Sequence, residues 1–443
     1  MKRIFYLLLI VICAACENDD SFSTSTGLQL SFSVDTLKMD TVFSNVPSST
    51  YAFWVHNRND AGIRISTVRL KRGNQTGFRV NVDGVYLDNS NGSQSQNVEI
   101  RRKDSVLVFV ELTAAATQQL DPKLVEDDLL FDLESGREQK VNLRAWAWDA
   151  TKLYSTVIET NTEIESEQPL VIYGDLTVKE GATLTLRNTE LYFHDDSGLE
   201  VYGTLHTENC LMRGDRLDNM FDYLPYNRVS GQWAGIHFYE SSTANKMEGT
   251  EIRNASEGIV CDSAAIDDDI YRLKMDECII HNSLNANISS VNTHLILNHC
   301  QLSNAGGDCL AVFGGNVTLS YCTLAQFYPF TAQRGDALYF TNRWGLRSLP
   351  LTITCEGSIV TGYADDVLKG EDIADGTDFF YHFNDCLLRT AEVKDSENFI
   401  DIIWESPKDE TGGKKHFVKI DEDNFIYDFH LVEDSPAQGL GCY

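Results

Sequence analysis

Between about residues 28 and 150, apolar and polar residues alternate with a period of two. Tyr51-Ala52-Phe53-Trp54-Val55, Phe78-Arg79-Val80-Asn81-Val82, Val106-Leu107-Val108-Phe109-Val110 and Val141-Asn142-Leu143-Arg144-Ala145-Trp146 are rich in β-branched and aromatic residues. Turn clusters such as Asn57-Arg58-Asn59-Asp60 and Asn89-Ser90-Asn91-Gly92 separate several such segments. Successive side chains of a strand point to opposite faces, so this alternation predicts half-buried strands. About seven short strands in such a span predict a β-sandwich of immunoglobulin type over 28–150. No cysteine lies between 17 and 209, so no disulfide joins its sheets. Residues 151–168, with Glu163, Glu165 and Glu167 ahead of Pro169, read as a linker.

From 169 to 443 the pattern repeats. Small residues recur before apolar pairs in Asn188-Thr189-Glu190-Leu191, Asn209-Cys210-Leu211-Met212, Gly249-Thr250-Glu251-Ile252 and Glu277-Cys278-Ile279-Ile280. The column continues through Cys300, Cys322, Ser358 and Cys386, and 22 residues separate Cys278 from Cys300 and Cys300 from Cys322. A fixed period in the twenties signals a solenoid whose coils pack on their neighbours. Neither helical repeats nor a leucine-rich repeat signature is visible, which leaves a right-handed parallel β-helix with three short strands per coil. The second strand runs through Ile259, Ile288, Leu310, Leu338 and Leu368, and the third through Leu273, Leu295, Val317 and Ile353. Longer spacings place inserted loops at about 214–232 and 326–349.

Two further stretches carry a resemblance. Ser230-Gly231-Gln232-Trp233-Ala234-Gly235-Ile236 is similar to segments where coils begin in pectin-lyase-like β-helix proteins, and Asp428-Phe429-His430-Leu431 with Ser435-Pro436-Ala437 is similar to segments where they end. Residues 1–16, MKRIFYLLLIVICAAC, join a basic start to an apolar run too short for the ~20 residues of a spanning helix. They read as a signal peptide over 1–15, and Ala14-Ala15-Cys16 resembles a bacterial lipobox with Cys16 as the lipidated residue. A tether over 16–27 follows, and its acidic Glu17-Asn18-Asp19-Asp20 is similar to the surface-export signal of Bacteroidota lipoproteins. With the sandwich, the whole resembles β-helix surface lipoproteins of that phylum, which implies a lipid-anchored, surface-exposed place in the outer membrane.

Composition narrows the function classes. The chain has 36 Lys+Arg against 66 Asp+Glu, a formal charge of −30, which excludes docking on nucleic-acid phosphates. Its 11 cysteines are spread over a chain far longer than a small stapled scaffold. Their repeating positions read as small buried side chains of the solenoid rather than a disulfide framework.

Catalytic chemistry is sparse. Gly307-Asp308-Cys309-Leu310 is similar to the strand that carries an acidic pair in polygalacturonases, but Gly307 occupies the place of one carboxylate. Asp308 is thus the single weak catalytic candidate, and Asp308 and Asp336 read first as turn residues. Asp267-Asp268-Asp269, Asp365-Asp366 with Lys369, and Asp421-Glu422-Asp423 offer oxygen ligands for calcium without an EF-hand spacing. His281, His294 and His299 raise zinc, yet no Cys-x-x-Cys or His-Glu-x-x-His is present, so no metal or cofactor is expected. The inserted loops carry Phe221, Tyr223, Tyr226 and Arg228, and Phe327, Tyr328, Phe330, Arg343 and Trp344, residue types that anchor interfaces or stack on sugars. The leading expectation is a noncatalytic scaffold or binding subunit of an outer-membrane protein assembly, for β-barrel assembly or glycan uptake. The alternatives are a polysaccharide-binding surface protein and a β-helix lyase or hydrolase.

Overall fold

The structure is a computed structural model describing residues 21–221, 223–264, 270–394, 397–405 and 412–443. Cys16, its preceding signal segment and the acidic residues 17–20 lie outside the described residues, as do Asp267, Asp268 and Asp269. The chain is all-β. It forms two compact units, one of residues up to Asp149 with Asp218–Met220, the other of Ala150–Leu217 with Phe221–Tyr443.

In the first unit two five-stranded sheets enclose one apolar core. One sheet orders Ser31–Phe32, Tyr51–His56, Ser105–Leu112, Phe78–Val82 and Val85–Tyr86; the other orders Thr36–Phe43, Glu138–Trp148, Lys123–Leu133, Ile63–Leu70 and Gln94–Ile100. The alternation read from the sequence is the burial pattern: Tyr51, Phe53 and Val55 point inward while Ala52 and Trp54 face solvent. Ten strands replace the expected seven. Lys123–Leu133 carries no clear period-two alternation because Asp127 and Asp128 interrupt its apolar run; Asp128 is nearly buried, with Lys71 at 3.2 Å and Lys140 at 3.1 Å, so charge pairing offsets its burial.

The second unit is one 26-stranded sheet of parallel pairings, compatible with a β-helix solenoid. Each strand pairs with its counterpart one coil on, so three columns run the length of the unit. Interior residues stack in register along the first column: Leu191, Met212, Ile252, Ile280, Leu302, Leu324, Val360 and Leu388. The segment 151–168, expected as a linker, instead supplies Thr151–Ile158 and Thr162–Glu165, which pair with Leu170–Val178 and Thr183–Arg187. Their glutamates gave a solvent-facing row the look of a polar junction.

The corner before the first column explains the small-residue repeat. Asn188, Asn209, Gly249, Glu277, His299, Tyr321, Gly357 and Asp385 all take left-handed backbone conformations, with φ between 46° and 59°. The next residue, Thr189, Cys210, Thr250, Cys278, Cys300, Cys322, Ser358 or Cys386, is buried. Each donates its hydroxyl or thiol to the carbonyl two residues earlier, the hydroxyls at 2.6–3.1 Å and the thiols at 3.1–3.4 Å. Coils stand about 4.8 Å apart, so equivalent side chains stack directly and must be small. A corner residue must also satisfy a buried carbonyl. Cysteine, threonine and serine meet both conditions. The nine described cysteines are free thiols, and Cys355, on the strand Leu351–Glu356, lies with its Sγ 3.8 Å from that of Cys386.

Candidate functional site

A cleft of about 600 Å³ opens on the outer side of the first column. Because strands alternate, the neighbours of interior Ile252, Ile280 and Leu302 point outward, and they form its floor: Glu251 and Arg253, Ile279 and His281, and Gln301. Further along, the same outward rows become Ala325, Ile359 and Leu387. There the face is apolar, and the hairpin Phe417–Asp421 with Ile426–Leu431 seals it through Phe417 and Phe429. The hairpin continues over the polar coils, so one element both covers this apolar face and roofs the cleft.

Asn254, just past the strand Glu251–Arg253, and Asn282, within Ile279–Ser283, are both left-handed with φ 59° and 64° and both buried. Asparagine tolerates that conformation, and its amide bonds along the stack, with Asn282 Nδ2 donating to Asn254 Oδ1 at 2.7 Å and to the Arg228 carbonyl at 2.8 Å. His281 Nδ1 meets Ser303 Oγ at 2.8 Å. Burial and the charge of Arg253 push the His281 pKa down to about 3, which keeps the ring neutral. Gln301 donates to Ser303 Oγ at 2.7 Å and accepts from the Tyr443 hydroxyl at 2.7 Å. Phe330 stacks on Phe425 at 5.0 Å, and Arg228 holds the hairpin turn through the Asn424 carbonyl at 2.8 Å.

The loop residues singled out from sequence therefore divide. Phe327 and Tyr328 are buried; Phe327 packs near Phe417 and Phe429, and the Tyr328 hydroxyl meets Ser230 Oγ at 2.6 Å. They are packing residues, and a partner-facing role for them is corrected. Phe330 and Arg228 line the cleft. Tyr226 lies beneath Arg216 at 4.0 Å, whereas Phe221 and Tyr223 stack at 5.4 Å, and Tyr223 is largely exposed. The stretch 326–349 is not one loop, because the strand Leu338–Thr341 interrupts it. Arg343 and Trp344 belong to a separate small hairpin with Arg347–Ser348.

Asp308 gains a neighbour from the next coil. Its Oδ1 accepts from the Asp336 backbone N–H at 2.7 Å, the turn role expected of it. Burial raises the pKa of Asp308 against that bond and the charge of Lys369. Burial and the Asp308 charge raise Asp336 to about 6. The contact between Asp308 and Asp336, one coil on, is thus made through the Asp336 backbone N–H. Lys369 pairs with Glu371 at 2.7 Å, and Glu371 accepts from the Tyr339 hydroxyl at 2.9 Å.

The remaining candidates do not converge on an ion. Among the described residues no cluster of three or more His, Cys, Asp or Glu could hold a metal. Asp365 stands 3.7 Å from Arg389, Asp366 accepts from the Leu368 N–H, and Asp421 and Glu422 pair with Lys419 and Lys414. His299 stacks on Tyr321, away from His281 in the cleft. One cluster was invisible in sequence. Ser435 Oγ meets His416 Nδ1 at 3.2 Å, and His416 Nε2 meets Glu405 at 3.1 Å. All three side chains are buried, and Glu405 also faces Arg389 at 3.5 Å.

No protein-family model and no curated protein matches this chain. Among solved structures, similarity is found to a chain described as a family 123 glycoside hydrolase from Clostridium perfringens, studied for glycolipid glycan hydrolysis. Sequence identity is 7% and the TM-score 0.21, and the match covers 31% of this chain and 30% of that one. The match thus spans under a third of that enzyme's length, and a likeness of this size carries no argument.

Proposed function

We propose that this is a lipid-anchored surface protein of the outer membrane, of the kind found in Bacteroidota, serving as a noncatalytic scaffold or binding subunit of an outer-membrane protein assembly, for β-barrel assembly or glycan uptake. In this reading Cys16 carries the lipid, the first unit is an immunoglobulin-like sandwich and the second a right-handed β-helix. The basic start, apolar run and Ala14-Ala15-Cys16 ending support the anchor. The observation that carries the partner role is the hairpin of Arg343–Trp344 and Arg347–Ser348. Leu346 at its turn is 98% exposed and Trp344 45%, between two exposed arginines. Trp344 rests edge-on against Phe313 at 4.6 Å, a fixed posture for an interface anchor. Affinity purification from gently solubilised membranes is expected to recover one membrane partner repeatedly. Trp344→Ala with Leu346→Ala should cut recovery by about tenfold, equivalent to about 1.4 kcal/mol. A chain that always purifies alone removes this reading.

A second reading, cleavage of acidic polysaccharide, is favoured by the contact that brings Asp308 and Asp336 of neighbouring coils together, with burial raising the pKa of both and Asp336 reaching about 6, the direction a general acid needs. Asp308→Asn is then expected to abolish release of reducing ends or unsaturated products. No product from the wild-type chain across acidic polysaccharides discards it.

A further inference from the structure

We propose that the cleft beneath the C-terminal hairpin is a binding site for an uncharged oligosaccharide. The proposal stands apart from the assembly reading, whose hairpin around Trp344 is a different element.

Three features of the cleft select this class of ligand. Its volume, about 600 Å³, is that of small-molecule sites rather than of a packing defect. Its walls include Phe330, Phe425 and Tyr427, all only partly buried, whose rings can offer apolar faces to the C–H faces of sugar rings. Its floor is polar and held in place: Asn282 is tied to Asn254 and to the Arg228 carbonyl, and Gln301 to Ser303 and Tyr443. These amides keep hydrogen-bonding capacity beyond the bonds they make, and the neutral imidazole of His281 adds a donor or acceptor at its second nitrogen. A wholly apolar ligand would strand those groups.

Charge excludes the acidic alternative. Arg228 and Arg253 are matched by Glu251 and Asp428 in the same lining, and Arg253 is ion-paired with Glu251. A sugar carboxylate therefore meets no surplus of positive charge in a chain of net charge −30.

Titration calorimetry of the detergent-solubilised full chain tests the assignment, with maltohexaose, cellohexaose, xylohexaose and mannohexaose as neutral probes and trigalacturonate as the charged one. At least one neutral probe is expected to bind. Ile279→Trp, which fills the cleft from its floor without removing a hydrogen bond, should weaken that binding by about tenfold or more, about 1.4 kcal/mol. Gln301→Ala should weaken it in the same direction, with the thermal midpoint of both variants kept as the check on folding. Trp344→Ala should leave it unchanged, so loss of the membrane partner and loss of saccharide are read separately. The proposal is overturned if no neutral probe binds, if only trigalacturonate binds, or if Ile279→Trp in a folded chain leaves the affinity intact.

Discussion

Glu405→Ala is expected to lower the stability of the parallel-sheet unit by about 3–5 kcal/mol, because it removes the buried counter-charge of Arg389 and leaves it the exposed Asp365 at 3.7 Å. Glu405 is 4% exposed and Arg389 1%, with 3.5 Å between guanidinium and carboxylate. Its other oxygen accepts from Thr361 Oγ1 at 2.7 Å, and His416 adds a third partner. The substitution thus disconnects the last coils from the segment 412–416 that leads into the C-terminal hairpin. Glu405→Gln keeps the shape and part of the bonding, so it should cost less than the alanine variant. Urea unfolding followed by far-ultraviolet circular dichroism ranks the three proteins, and equal stability of wild type and Glu405→Ala would show the cluster to be dispensable.

The same carboxylate predicts a pH dependence. Burial pushes the Glu405 pKa up, but hydrogen bonds from His416 and Thr361 and the charges of His416 and Arg389 outweigh it, so the folded value lies below the ordinary 4.5. A group with a depressed folded pKa contributes stability that is present above the unfolded value and lost as pH falls through the folded one. Wild-type stability should therefore decline as pH drops below about 4.5. In Glu405→Gln this contribution is missing at every pH, so its curve should be flatter in that acid window.

The columns of the solenoid were legible because interior positions of a stacked sheet admit a narrow set of residues at a fixed interval. The cysteine repeat marked the corners correctly, yet its chemistry was wider than cysteine. Thr189, Thr250 and Ser358 fill the same place because the corner requires a small donor, a requirement that appears only with the carbonyls of Arg187, Glu248 and Glu356 beside them. The left-handed asparagines lining the cleft were available as Arg253-Asn254 and His281-Asn282, and Ser303-Asn304 continues the repeat outside the lining, a repeat obscured by insertions between coils. The roof could not be read. It brings Phe425 and Tyr427 against Phe330 and His281, residues some hundred or more positions away that no local pattern links. Asp308 and Asp336 were legible as turn residues of neighbouring coils, but the bond from the Asp336 N–H to Asp308 Oδ1 between them was not.

Trp233→Ala is the second large effect expected, a loss of about 3–5 kcal/mol. The tryptophan belongs to Ser230-Gly231-Gln232-Trp233-Ala234-Gly235, the stretch whose resemblance suggested the start of coils, and the structure gives that stretch a physical role. Trp233 is 1% exposed and stacks on Phe193 at 4.4 Å, filling the core where the chain re-enters the sheet after the 214–232 insertion. Two residues later Gly235 has φ 109° and lies against the Glu257 backbone carbonyl, so no side chain fits and the entry path is fixed. The indole Nε1 also donates to the Arg253 carbonyl at 2.8 Å, holding in place a floor residue of the cleft. Trp233→Phe separates the two roles. It retains a stacked ring while removing the indole's bond to that carbonyl, for a cost of about 1 kcal/mol. Saccharide affinity is expected to fall more in Trp233→Phe than its modest loss of stability implies, because the residue acts on Arg253 from behind. Equal melting curves for wild type and Trp233→Ala would contradict the core role, and unchanged affinity in Trp233→Phe would confine the residue to packing.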